Sequence, residues 1–205
     1  MTPEAIAERW PRLFHMAEAA SWPMIQRHGL LSTTALLDLF DVDGPARTEL
    51  ETKRRPDSVE IRHPVHGTAI IRDNKPINET VLRRTLVGMS EPAWYRTLNG
   101  RVFFWLTTDR LDRLRDAPPY RDRPHDILTV DTAGLLGRHG DRIELAGINS
   151  GAVHPGARNS RGSETFRRIA DYPWASRGSR ERVVELTVPY SVPDIADHVI
   201  DVVTR

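Results

Sequence analysis

A glutamate set inside an otherwise apolar, β-forming run, Arg182-Val183-Val184-Glu185-Leu186-Thr187-Val188, is the first residue of this chain that invites a chemical reading. Strand alternation puts Val184 and Leu186 on one face and Val183, Glu185 and Thr187 on the other, so the carboxylate is either solvated on a half-buried strand or held as a working charge. His15 sits in a short apolar run, Leu13-Phe14-His15-Met16, where an imidazole serves as a satisfied core group or as a ligand contact. Trp105 ends three consecutive aromatics, Phe103-Phe104-Trp105, and is either core or a stacking platform. His63-Pro64-Val65-His66 offers two imidazoles, but a catalytic zinc site needs a third protein ligand and none is compelling nearby, so no metal site is assigned. Arg54-Arg55 and the span 158–182, where seven arginines meet Glu164, Asp171 and Glu181, present guanidinium groups either to phosphates or to solvent.

Composition narrows the field around these residues. The chain of 205 residues contains no cysteine, which removes disulfide frameworks, cysteine-ligated zinc, iron–sulfur clusters and thiol nucleophiles together. Its 27 arginines and 2 lysines nearly balance 28 acids, leaving a net charge of +1 and no broad single-sign surface of a nucleic-acid wrapper. The arginine excess over lysine reads as the codon usage of a GC-rich genome. No G-x-G-x-x-G, P-loop, H-E-x-x-H or G-x-S-x-G is present, so the usual dinucleotide, kinase-like, zincin and hydrolase signatures are missing. No segment reads as a signal peptide or membrane span, and the expectation is one soluble, cytoplasmic domain over 1–205 with no membrane partner.

The elements that must position these groups follow from caps and periodicity. Thr2 and Pro3 start a helix carrying Ile6 and Trp10 on one face, which Pro11 ends. A strand over Leu13–Met16 leads to a helix begun at Ser21-Trp22-Pro23 and closed at His28-Gly29, and Ser32 caps another ending near Phe40. The stretch from Asp41 to Lys75 reads as polar, with strand pieces at Val59–Ile61 and Thr68–Ile71. Helices are expected over Asn78–Val87, Glu91–Leu98 and Asp109–Leu114, and strands over Arg101–Leu106, Asp126–Asp131, Arg142–Ile148 and Arg182–Val188. Residues 150–180 read as one long, flexible, Gly- and Arg-rich loop. Without regular βαβ alternation the fold class is α+β, with a mixed or antiparallel sheet.

Taken together, three of these segments resemble the ADP-ribosyltransferase superfamily, most closely the branch of DNA-targeting toxins of the DarT type, with the RNA 2′-phosphotransferases as more distant relatives. His15-Met16-Ala17 is similar to that branch's "H-I-T" strand end, and Gly29-Leu30-Leu31-Ser32 to its "G-L-L-S" turn. Phe104-Trp105-Leu106-Thr107 matches "F-Y-F-T" with tryptophan at the tyrosine position, and Val184-Glu185-Leu186-Thr187-Val188-Pro189 matches the glutamate segment "A-E-x-L-V-P", followed by Val192 to Ile195. The resemblance implies two small packed antiparallel or mixed sheets with peripheral helices around an NAD cleft. It implies NAD as the substrate, with His15, Ser32 and Trp105 binding it and Glu185 and His15 catalytic, in transfer of ADP-ribose to a nucleic acid or, less favoured, a protein. By rough position Arg54 or Arg55 would stand where the toxins carry a catalytic arginine. The alternatives are a member of the fold that binds or hydrolyses NAD without transfer, and a non-enzymatic nucleic-acid-binding domain using the arginine-rich segments.

Overall fold

The computed structural model describes residues 1–176 and 183–205; Arg177, Arg180 and Arg182, and with them the expected strand start at Arg182, lie outside the described residues. Helix α1 (Pro3–Arg9) leads into β1 (Arg12–Glu18), α2 (Trp22–His28), β2 (Leu30–Leu31), α3 (Thr33–Leu39) and α4 (Gly44–Thr52). The hairpin of β3 (Val59–His63) and β4 (Gly67–Ile71) precedes α5 (Glu79–Thr85), β5 (Leu86–Val87), α6 (Glu91–Asn99), β6 (Arg101–Trp105), α7 (Thr108–Arg115), β7 (His125–Asp131) and α8 (Thr132–His139). The remainder adds β8 (Glu144–Ala146), β9 (Arg161–Gly162), β10 (Phe166–Arg168), β11 (Glu185–Pro189), β12 (Ser191–Val192), a 3-10 turn (Ile195–Asp197) and β13 (Val199–Thr204). No helix among the described residues is long and apolar enough to cross a membrane.

The fold is α+β, built on one antiparallel sheet of seven strands in the order β10-β8-β11-β6-β1-β7-β13. This corrects the expectation of two small packed sheets. The physical reason is a single bridged pair, Phe14 opposite Trp105, that joins a four-strand half to a three-strand half. Elsewhere pairing is extensive: β1 runs beside β7 from Arg12↔Asp131 to Glu18↔His125, and β11 beside β6 from Glu185↔Trp105 to Pro189↔Arg101.

Pleating sorts the side chains into two rows. Val102, Phe104 and Leu106 join Leu13, Leu128, Leu186 and Val188 in the main core, while Phe103 and Trp105 pack into clusters elsewhere. Helix starts follow the sequence signals: Thr2, Ser32, Asn78 and Ser90 each accept a backbone N–H from the first turn. The expected helix over Asn78–Val87 is shorter, since Leu86 and Val87 leave it to pair with Arg161 and Gly162 as strands.

Three elements depart from the sequence reading. Helix α4 lies inside the stretch taken as polar turns and short strands, because Asp43 and Pro45 start it but its apolar residues form no clear stripe. Helix α8 was hidden by Gly134 and Gly137, yet Asp131 caps it through the Gly134 N–H at 2.7 Å. The region read as one flexible loop from residue 150 contains β9 and β10, and β10 extends the central sheet through Phe166↔Ala146. Val153, Arg161, Phe166, Ile169 and Tyr172 are buried there, which anchors the segment to the core.

Candidate functional site

Across the middle of the sheet, register aligns Phe14 of β1, Trp105 of β6 and Glu185 of β11 in one row. Beside this row opens a cavity of about 540 Å³, and His15, Ser32, Trp105 and Glu185 all line it. That volume suits a ligand of nucleotide size.

Glu185 is 3% exposed, so the solvated alternative for this residue does not hold. Its carboxylate accepts the Ser150 backbone N–H at 3.1 and 3.2 Å and the Ser150 hydroxyl at 2.7 Å. Burial pushes the carboxyl up to about 7, against the Ser150 hydrogen bonds and the positive charges of Arg161 and Arg110, which favour the anion. A carboxyl that titrates near neutrality exists in both protonation states at working pH, as acid–base catalysis requires. Arg161 also builds the loop that carries Ser150. Its Nη1 donates to the Asn159 carbonyl, and its Nη2 to the carbonyls of Asn149 and Ala152 at 3.2 and 2.9 Å.

His15 falls by alternation in the row of Leu13 and Ala17, yet it reaches the cavity. Strands β1 and β6 pair only at Phe14 and Trp105, and the imidazole reaches across to β6, placing Nδ1 2.9 Å from the Phe103 carbonyl. A carbonyl only accepts, so Nδ1 carries the hydrogen and Nε2 keeps its lone pair for a ligand. Burial lowers the His15 imidazole to about 4, and the ring is neutral at physiological pH.

Ser32 caps α3, its Oγ accepting the Ala35 N–H at 3.2 Å, and its hydroxyl proton is free to donate toward the cavity it lines. The turn before it needs a glycine. Gly29 has φ +83°, and a Cβ there would meet Pro193 Cα at 2.6 Å and the Val192 carbonyl at 2.9 Å. The Gly29–Ser32 turn and the segment after β11 therefore close on each other, with Leu31 opposite Ser191 and Leu30 opposite Val192. Trp105 is half-buried against the cluster of Met16, Leu111 and Tyr120, with part of its surface on the cavity.

A family of unknown function, DUF7002, matches residues 11–199. The chain belongs to that family. The match spans His15, Ser32, Trp105 and Glu185 alike. No curated protein and no solved structure matches the chain.

The other wall of the cavity in this DUF7002 chain is charged, and the sequence did not reveal it. Glu18, buried at the end of β1, meets Arg123 at 2.8 Å and Arg72 at 3.5 Å. Arg72 also donates to the Met16 carbonyl at 2.8 Å and lies over the Tyr120 ring, whose hydroxyl donates to Asp73 at 2.7 Å. Glu18, Arg72, Asp73 and Tyr120 all line the cavity. The only advance signal was a carboxylate at the end of an apolar strand, the same oddity that marked Glu185.

Of the two arginines proposed by position, Arg55 lines this cavity, but each of its three guanidinium nitrogens already donates a hydrogen bond within the protein. Nη1 donates to the Leu50 carbonyl, Nε to the Arg72 carbonyl at 3.1 Å and Nη2 to Asn99 at 2.8 Å. Burial lowers this guanidinium to about 10. Arg54 donates to the Lys75 carbonyl and lines a separate surface pocket instead. His63 and His66 stack at 4.6 Å, and His63 Nδ1 accepts the N–H groups of Val65 and His66, which staples the hairpin turn.

Proposed function

We propose that this chain is an NAD-dependent mono-ADP-ribosyltransferase, which breaks the bond between nicotinamide and ribose and transfers ADP-ribose to a macromolecular acceptor. The observation that carries the reading is convergence: residues from three distant segments, selected for a resemblance and not for contact, line one cavity at the centre of the sheet. The chemistry of each is suited to its role. The Trp105 indole offers a face on which nicotinamide stacks. The lone pair of neutral His15 accepts a ribose hydroxyl, and the Ser32 hydroxyl holds the same sugar.

When the glycosidic bond breaks, its electron pair leaves with nicotinamide and the ribose takes on oxocarbenium character. The ionised Glu185, fixed by Ser150, stabilises a positive charge that exists mainly in the transition state. The acceptor nucleophile then bonds to the anomeric carbon and loses its proton, which the Glu185 carboxylate takes up. A nucleic-acid acceptor is favoured slightly over a protein, in line with the resemblance. A purely electrostatic nucleic-acid binder is less well supported, because Arg161 is spent on backbone carbonyls and Arg167 on Glu164.

The test is incubation of the purified chain with NAD labelled on its adenylate part, together with DNA, RNA or protein. Label on a macromolecule is the expected result. Free ADP-ribose alone would make the chain an NAD hydrolase, and neither product would remove the enzymatic reading.

A further inference from the structure

The end of α8 and the 3-10 turn bring together a group that the NAD-site reading does not use. His139 is the last residue of α8, and Asp194 and His198 flank Ile195–Asp197. One donor atom from each lies within 4.8 Å of the others. His139 Nε2 is 2.6 Å from Asp194 Oδ1, His198 Nε2 is 3.5 Å from Asp194 Oδ2, and the two imidazoles stand edge to face at 5.8 Å.

We infer that His139, Asp194 and His198 form a binding site for a divalent transition-metal ion of the zinc type. The His198 side chain is only 10% exposed, and its Nε2 is buried with no hydrogen-bond partner. Such an orphaned nitrogen is unfavourable unless something occupies it. Here it lies on the Asp194 carboxylate, so a cation between the two would satisfy both.

Two imidazole nitrogens and one carboxylate oxygen suit zinc, cobalt or nickel, whereas calcium and magnesium favour all-oxygen shells. Three protein ligands leave a further position for water, and the Asp194 side chain is partly exposed. Metal–ligand bonds of about 2.0–2.1 Å set neighbouring donors roughly 3.3 Å apart in a tetrahedron. The 3.5 Å between His198 Nε2 and Asp194 Oδ2 already matches, whereas His139 Nε2 meets the other oxygen, Oδ1, at 2.6 Å, so that hydrogen bond must open and the carboxylate turn modestly as the metal replaces the proton. Arg138 lies 3.5 Å from Asp194 Oδ2, but its side chain is 74% exposed and can swing into solvent. None of the three ligands lines the cavity that holds Glu185, so the two readings stand or fall separately.

The test is titration of the chelator-treated full chain with zinc by calorimetry and with cobalt(II) by visible absorption. One equivalent should bind, with cobalt ligand-field bands of low coordination number and with a rise in melting temperature. Histidine-ring NMR signals of two residues in the unmutated chain should shift together on zinc addition. Asp194→Asn and His198→Gln should each abolish this step, whereas the double variant His63→Ala, His66→Ala should keep it. Absence of binding to the unmutated chain would overturn the site, as would binding that survives in Asp194→Asn and His198→Gln or that disappears with His63 and His66.

Discussion

Replacing Glu185 by glutamine should make the protein more stable and inactive at once, and the gain in stability should depend on pH. The carboxyl titrates near 4.5 in an unfolded chain and near 7 in the fold, because burial penalises its charged form. Between those values the folded state holds a proton that the unfolded chain has released. This group therefore favours the fold at low pH, and that contribution is lost as pH rises through 7. Above both values the ionised carboxylate costs about 3 kcal/mol relative to its protonated form, at about 1.4 kcal/mol per unit. Glutamine does not titrate, so the stability of the variant relative to the parent should rise by roughly 2–3 kcal/mol between about pH 5 and pH 8. For a chain of this size that is a change of roughly 5–10 °C in the melting-temperature gap. Glutamine still accepts one hydrogen bond from Ser150, and any loss there is common to both pH values and cancels in the comparison. The assay is paired chemical or thermal unfolding of both proteins at the two pH values, with NAD turnover followed in parallel. A gap that does not change with pH, or that is larger at pH 5, would refute the buried, proton-holding carboxyl. Unchanged turnover in the variant would refute its catalytic role.

Other substitutions test the supports of the site. Turnover of the parent should fall on acidification through about pH 7, where Glu185 gains its proton; a flat profile from pH 5 to 9 would detach the reaction from this group. Ser150→Ala removes a hydroxyl that donates to the Glu185 anion at 2.7 Å, and since such bonds are worth about 1.5–3 kcal/mol, the acid limb should move up by about one to two pH units. Gly29→Ala forces a Cβ into Pro193 at a backbone conformation open almost solely to glycine, and denaturant unfolding should show a loss of roughly 2 kcal/mol or more. In Arg161→Lys all donors sit on one nitrogen and cannot span the carbonyls that Nη1 and Nη2 reach, so amide exchange around Asn149–Ala152 should accelerate and turnover fall, while the exposed Arg168→Lys leaves both unchanged.

Much of the secondary structure was readable because its causes are local. Thr2 and Ser32 cap the helices they were expected to start, Gly29 stops α2 with a positive φ, and the aromatic run at 101–105 is a central strand. Helix α4 escaped because its apolar residues form no clear stripe, and α8 because two glycines masked a helix held by packing and by the Asp131 cap. Strands of two or three residues, such as β2, β9 and β12, exist only because a distant partner offers its backbone, and no local pattern announces that.

What the sequence by itself determined is which residues invite a chemical reading: a lone glutamate in a β run, a histidine on an apolar strand, an aromatic strand, a glycine turn ending in a serine cap. Residue type and spacing encode these directly. Only the tertiary structure decided that they share a cavity, since that depends on β11, β6 and β1 being neighbours, a matter of long-range pairing. It also decided that Glu185 is buried and near neutrality. Burial raises the carboxyl, and Ser150 and Arg161, in a segment whose sequence reads as loop, hold it back toward the anion; the local pattern would equally have left this carboxylate in water.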